Sequence, residues 1–135
     1  MKVVVDSHAL LFYLFTPDQL SDPALEALGE AENTDGIVVS TATIGGLWYT
    51  SHKQGRRALT PGAFESLRRT VLDPDEKFNV VAIDAATMDH FERVPLEDLG
   101  DPFDRFILAT AAQLQLPLVT KDRAITATRL VEVIW

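Results

Sequence analysis

Cysteine is absent from this chain, and histidine occurs only three times. Without thiols there is no disulfide and no thiolate metal site, and scattered imidazoles at His8, His52 and His90 offer zinc little support. Basic residues are also scarce. Twelve Lys and Arg stand against 20 Asp and Glu, a formal net charge of -8, which argues against holding nucleic acid through a general basic surface. That balance still allows an enzyme that grips phosphates through a bound cation and a few local positive groups. A concentrated acidic groove would also attract a basic peptide. No apolar run approaches the roughly 20 residues that span a bilayer. A strand follows directly on Met1-Lys2, which reads as no signal peptide, so the expectation is a soluble, cytoplasmic protein. No glycine-rich phosphate loop, Ser-His-Asp order or Cys-His pair is visible.

What the chain does hold is a normal apolar fraction, 47% of its 135 residues. One domain over residues 1–135 is expected, large enough to bury roughly two-thirds of its unfolded surface. Val3-Val4-Val5-Asp6 is a short β-branched run ending on a carboxylate, the pattern of a buried strand in a parallel sheet. Ile37-Val38-Val39 ending at Ser40, Phe78 to Ile83, Pro117 to Thr120 and Val131 to Trp135 read as four more strands. Between them lie helical segments. Residues 7–15 are apolar with Ser7 as a possible cap, and Pro17 ends them. Ser21-Asp22-Pro23 opens a helix to about Ala31, and Thr41 to about Lys53 carries Ile44, Leu47 and Trp48 at helical spacing. Gln54-Gly55-Arg56-Arg57 is a basic exit from that segment. Thr60-Pro61-Gly62 opens a helix with Phe64, Leu67, Val71 and Leu72 inward, and Asp84 or Ala85 starts a short one to about Val94. Asp101-Pro102-Phe103-Asp104 begins the clearest helix, with Phe103, Phe106, Ile107, Ala111 and Leu114 on one stripe. A short helical turn covers about Ala124–Thr128. Strands alternating with helices predict an α/β fold with a parallel sheet and right-handed crossovers.

Ligand sites of such sheets gather at the carboxyl ends of the strands. Asp6 and Asp122 each follow an apolar strand, so both carboxylates would stand on one edge of the sheet. Each can also be a plain loop acid or helix cap. Asp101 suits an N-cap with Pro102 at the first helical position, and Asp104 falls where an acid complements the helix dipole; both assignments are compatible with metal binding. Carboxylates crowded together raise each other's pKa, and a divalent cation removes that conflict. Oxygen-only ligands favour magnesium or manganese, which can activate a water against a phosphodiester. His8 reads as a packing or supporting residue, and His52 and His90 as surface residues. Arg105 can touch phosphate or form a surface salt bridge. Trp48 and Trp135 suit a core or a dimer face. A phosphatase-like site would need a second acid two residues after the first, and Asp6 is followed there by His8.

Four blocks together resemble the PIN-domain family, and within it the VapC-type toxins of bacterial toxin–antitoxin pairs. They are Val3-Val4-Val5-Asp6-Ser7-His8-Ala9-Leu10-Leu11, Val39-Ser40-Thr41-Ala42-Thr43-Ile44, Asp101-Pro102-Phe103-Asp104-Arg105-Phe106-Ile107-Leu108-Ala109 and Leu118-Val119-Thr120-Lys121-Asp122, with Val131-Glu132-Val133-Ile134-Trp135 closing the chain. The resemblance implies a three-layer α/β/α sandwich around about five parallel strands. It also implies a magnesium-dependent (or manganese-dependent) endoribonuclease. Its acids map to Asp6, Asp104 and Asp122, with Asp6 and Asp104 on the metal and Asp101 at the groove edge. Thr120 and Ser7 would orient carboxylates. The implied partners are RNA as substrate, a second copy of the chain, and a VapB-type antitoxin whose C-terminal segment covers the acidic groove. One position departs from the family. Where it has Thr-x-x-Glu-Leu, this chain has Thr43-Ile44-Gly45-Gly46-Leu47, with no glutamate between Glu32 and Glu65. Gly46 is therefore expected to replace a metal-site glutamate and to attenuate cleavage, leaving a non-cleaving module that binds antitoxin or RNA as the alternative.

Overall fold

The structure is a computed structural model that describes residues 1–55 and 58–135. Arg56 and Arg57, half of the expected basic exit, lie outside the described residues. Five short strands, β1 (Val3–Val5), β2 (Ile37–Ser40), β3 (Phe78–Val81), β4 (Leu118–Val119) and β5 (Val133–Ile134), form one sheet in the order β3-β2-β1-β4-β5. Every pairing is parallel, with Val4 opposite both Val38 and Leu118. The β-branched run at the N-terminus thus becomes the central strand, buried throughout as a strand covered on both faces must be.

Helices α1 (Ser7–Phe15), α2 (Asp22–Asn33), α3 (Thr41–His52), α4 (Pro61–Leu72), α5 (Ala85–Phe91), α6 (Pro102–Leu114) and α7 (Arg123–Thr128) make the outer layers. Strand side chains alternate between faces, and the core divides accordingly. Val3, Val5, Ile37 and Val39 pack with apolar residues of α1, α2 and α4, including Leu10, Leu28, Phe64 and Leu67. Val4, Val38 and Leu118 pack with Ile107, Leu108 and Ala111 of α6 and Ile125 of α7. The fold is a three-layer α/β/α sandwich, as expected. No helix among the described residues is long and apolar enough to cross a membrane.

Three local expectations change. Ser7 is the first residue of α1 rather than its cap; Asp6 caps it, accepting from the Ala9 N–H at 2.8 Å. Leu72 and Leu114, placed inward by periodicity, are 47% and 40% exposed, each being the last residue of its helix. Trp48 is not in the core either: with 46% exposure it stacks against His52, ring centroids 4.5 Å apart.

Candidate active site

Strand order reverses direction beside β1: β2 and β3 lie on one side, β4 and β5 on the other. Such a switch point opens a crevice at the carboxyl ends of the two strands that flank it. β1 delivers Asp6 there, and β4 delivers Thr120 and Asp122. The backbone links them, since the Asp6 N–H donates to the Val119 carbonyl at 3.2 Å. The side chains link them again. The Thr120 hydroxyl donates to Asp6 Oδ2 and accepts from the Asp122 N–H at 3.0 Å. Thr120 is fully buried, so this bridge is shielded from water.

Asp6 is 5% exposed. Burial pushes its carboxyl above the usual range; hydrogen bonds from Thr120 and Ala9 and the nearby His8 pull it down, and Asp122 pushes it up again. Asp104 enters from the first turn of α6. Its carboxyl is raised from 3.8 to about 6, first by burial and then by the charges of Asp101, Asp122 and Asp6. The four acids therefore share one electrostatic environment. Their hydrogen bonding differs. Asp101 Oδ1 accepts the Phe103 and Asp104 N–H groups that start α6, and Asp122 Oδ1 accepts the Ala124 and Ile125 N–H groups that start α7. Asp104 accepts no hydrogen bond from the described residues. Three of the acids are helix caps, and the fourth is a half-buried acid in the first turn of α6.

A cavity of about 470 Å³ takes in two of the four acids, Asp101 and Asp104, while Asp6 and Asp122 are not among its lining residues. Asp101 and Asp104 line one part of it, Ser7 and His8 another, and Gly46, Trp48, Tyr49, His52 and Phe103 a third. Among the described residues, no group of three or more His, Asp or Glu side chains is arranged to hold a metal ion. The donor chemistry nevertheless suits a hard cation. The four acids offer oxygen ligands, the His8 and His52 imidazoles also line the cavity, and a cation would offset the burial and repulsion that raise Asp104.

The other sequence-based assignments divide. His8 is exposed at the cavity and near Asp6, and Ser7 lines the cavity with no hydrogen bond to a carboxylate among those of the described residues. Arg105 does neither thing expected of it. At 7% exposure it points away from the acids and donates to the carbonyls of Phe91, Val94, Pro95 and Leu99 at 2.6–3.3 Å, with its guanidinium 4.7 Å from the Phe91 ring centroid. It ties the loop after α5 to α6. Gly46 does line the acid cavity, but a Cβ there would lie 3.1 Å from Phe103 Cγ. Phe103 was read as core; its ring belongs to the cavity wall. No pattern in the sequence signals that contact except the unexplained glycine pair.

A parallel sheet with order 3-2-1-4-5, helices on both faces and acids gathered at the switch point defines a class of α/β domain with an acidic site. The family is fixed by sequence: the PIN domain model matches residues 3–130, and the chain belongs to that family. No curated protein matches it. Among solved structures, it is similar to VapBC2 from Rickettsia felis bound to a promoter DNA fragment (TM-score 0.71, 15% identity, 98% of this chain and 97% of that one). It is similar also to DNA-bound VapBC from Salmonella typhimurium (TM-score 0.71, 19% identity, 98% and 96%) and to FitAcB from Neisseria gonorrhoeae (TM-score 0.63, 16% identity, 98% and 96%). At such identities the likeness establishes the fold.

Proposed function

We propose that the whole chain, residues 1–135, is one VapC-type toxin domain, a cytoplasmic endoribonuclease that depends on magnesium or manganese and is attenuated at Gly46. What supports this reading is that Asp104 lies close enough to Asp6 and Asp122, beside the β1/β4 switch point, for their charges to add to burial in raising its carboxyl. Asp6 and Asp104 would hold the cation. Asp122 would add negative charge, and Thr120 would fix the orientation of Asp6 through their hydrogen bond. When bound, the cation would lower the pKa of a water and offset charge developing on a phosphodiester. Asp104, raised by burial and then by the neighbouring acids, would have to give up its proton to hold the cation, so binding should strengthen as pH rises through about 6.

The acidic cavity also suits the basic C-terminal segment of a VapB-type antitoxin. The exposed Trp48 and Tyr49 suit a contact with a second copy of the chain. Gly46 keeps a second reading in play: a PIN domain that holds antitoxin or RNA without cutting it. Incubating the purified protein with total RNA, with and without magnesium, separates the two. Cleavage that tracks magnesium and disappears in Asp6→Asn supports the nuclease; binding of RNA without magnesium-dependent cleavage supports the module. Turnover of a phosphomonoester but not RNA would overturn both.

A further inference from the structure

Lys121 is exposed and stands between Thr120, whose hydroxyl bridges Asp6 and the Asp122 N–H, and Asp122 itself. In a chain with 12 basic and 20 acidic residues, a lysine in that position has carboxylates at hand, yet the ion pairs formed among the described residues do not include it. Its Nζ lies instead 5.0 Å from the centroid of the Phe12 ring, within cation–π reach. Phe12 belongs to α1, the helix that Asp6 caps, and follows His8 by four residues on the same side of that helix. The His8 and Phe12 ring centroids are 6.5 Å apart, and those of Phe12 and Trp135 are 6.4 Å apart. His8 also lines the acid cavity. A strip of surface therefore leaves the cavity at His8, crosses Phe12, and ends at Trp135 and the Lys121 ammonium. A ring face attracts an ammonium without neutralising it. Among the described residues Phe12 fixes where the charge stands and takes none of its three N–H donors, which stay open to an anion.

We infer that Lys121 grips a backbone phosphate of the RNA strand on the α1 side of the acids, and that Phe12 is the positioning residue that holds the ammonium there. The inference rests on RNA being the substrate, as proposed above. A crevice lined with carboxylates repels a polyanion. A bound cation offsets that repulsion at the reacting phosphate only, so the neighbouring phosphates need a positive group from the chain itself. A lysine suits the task, being a compact point charge that meets a phosphate oxygen without the bidentate geometry of an arginine. A lysine stem can also lie over a ring merely to cover apolar surface. Methionine would cover it as well, so Lys121→Met separates the two roles.

The test is a fluorescence-anisotropy titration of a short unstructured RNA oligonucleotide over a range of potassium chloride concentrations, without added metal and again with calcium. Lys121→Met is compared with the unmodified protein and with Lys77→Met, which changes a lysine just before β3, at the other end of the sheet. Each phosphate neutralised on a single strand contributes about 0.7 to the slope of log affinity against log salt. Lys121→Met should flatten the slope by about that amount, so its deficit should narrow about two- to threefold between about 50 and about 200 mM salt. Lys77→Met should leave the slope unchanged. In a Phe12→Leu background, Lys121→Met should cost less RNA affinity than it does alone, by about twofold or more; additive effects overturn the part assigned to Phe12. An oligoarginine peptide gives a control of opposite sign, since Lys121 would repel it, and Lys121→Met should bind it no more weakly than the unmodified protein. Weaker binding of both RNA and peptide overturns the inference. An unchanged slope in Lys121→Met, with RNA still bound by the unmodified protein, overturns it too and leaves the nuclease reading standing. No RNA binding by the unmodified protein in either condition overturns both.

Discussion

Replacing Asp104 with asparagine should make this protein more stable at neutral pH and less able to bind a cation. The carboxyl is raised from 3.8 to about 6 because the folded state disfavours its charge. The folded protein therefore holds a proton on Asp104 over a range where the unfolded chain has released it. The sign follows from linkage. Asp104's stabilising contribution is fully present below pH 3.8, falls as pH rises, and is lost once pH has passed about 6. At about 1.36 kcal/mol per pH unit, the interval between the two values sets a ceiling of about 3 kcal/mol. Asp104 is only half-buried, and solvent screening reduces that to about 1–1.5 kcal/mol. Asparagine copies the protonated shape without the charge, and the carboxylate accepts no hydrogen bond from the described residues that would be lost. Urea or thermal unfolding of both proteins from pH 4 to 8 measures the difference. It should be near zero at pH 4, grow between pH 4 and 6, and level off above that at about 1–1.5 kcal/mol, or about 3–6 °C. Asp6 titrates in both proteins and cancels to first order. Magnesium at a hundred times its Kd should add about 2.7 kcal/mol to the unmodified protein and nothing to Asp104→Asn. A difference that does not vary with pH, or a variant less stable at pH 8, would refute the assignment of Asp104 as an unrelieved charge.

Three further outcomes follow from the geometry. Arg105→Ala should cost about 3 kcal/mol or more in urea unfolding, because it removes a buried guanidinium and strips four carbonyls of their donor; at fixed folded fraction it should leave RNA affinity unchanged, since the side chain does not reach the acids. Thr120→Val should raise the Asp6 pKa further, as followed by NMR titration, and lower stability by about 1–2 kcal/mol, because the hydroxyl supplies the largest of the forces that hold Asp6 down. Asp6→Asn should keep the fold, since asparagine caps a helix as well as aspartate does, whereas Asp6→Ala should lose about 1 kcal/mol with the cap; cleavage should fall equally in both, and a much larger loss for Ala than for Asn would point to a structural role alone.

The sheet was legible because its strands are short β-branched runs separated by helix-length segments, a pattern with few topological solutions. Asp6 and Asp122 were legible for the same reason, as each closes a strand. β1 and β2 span their apolar runs, whereas β3, β4 and β5 are shorter than the segments read as strands, because an apolar run does not itself mark where ladder pairing stops. Arg105 was misread, since its burial depends on carbonyls of Phe91, Val94, Pro95 and Leu99 that sit 6–14 residues away in sequence and that no periodicity places together. Gly46 was found by its oddness in a helix, and it lines the cavity next to the ring of Phe103, a residue far along the chain whose helical spacing pointed to the core.

The capping bonds also explain why structural and functional readings of the same acids are not rivals here. Asp6, Asp101 and Asp122 each satisfy N–H groups at the start of a helix, so α1, α6 and α7 all begin near one crevice. The positive ends of their dipoles partly offset the three charges. Capping bonds hold those three carboxylates in place whether or not a cation is bound. Asp104 stands beside them in the first turn of α6, and accepts no hydrogen bond from the described residues. A site built this way holds its framework by capping and keeps two carboxyls, Asp6 and Asp104, where burial disfavours their charge. Those two are the groups whose free energy changes most when positive charge arrives, whether from a metal ion or from the basic side chain of a partner.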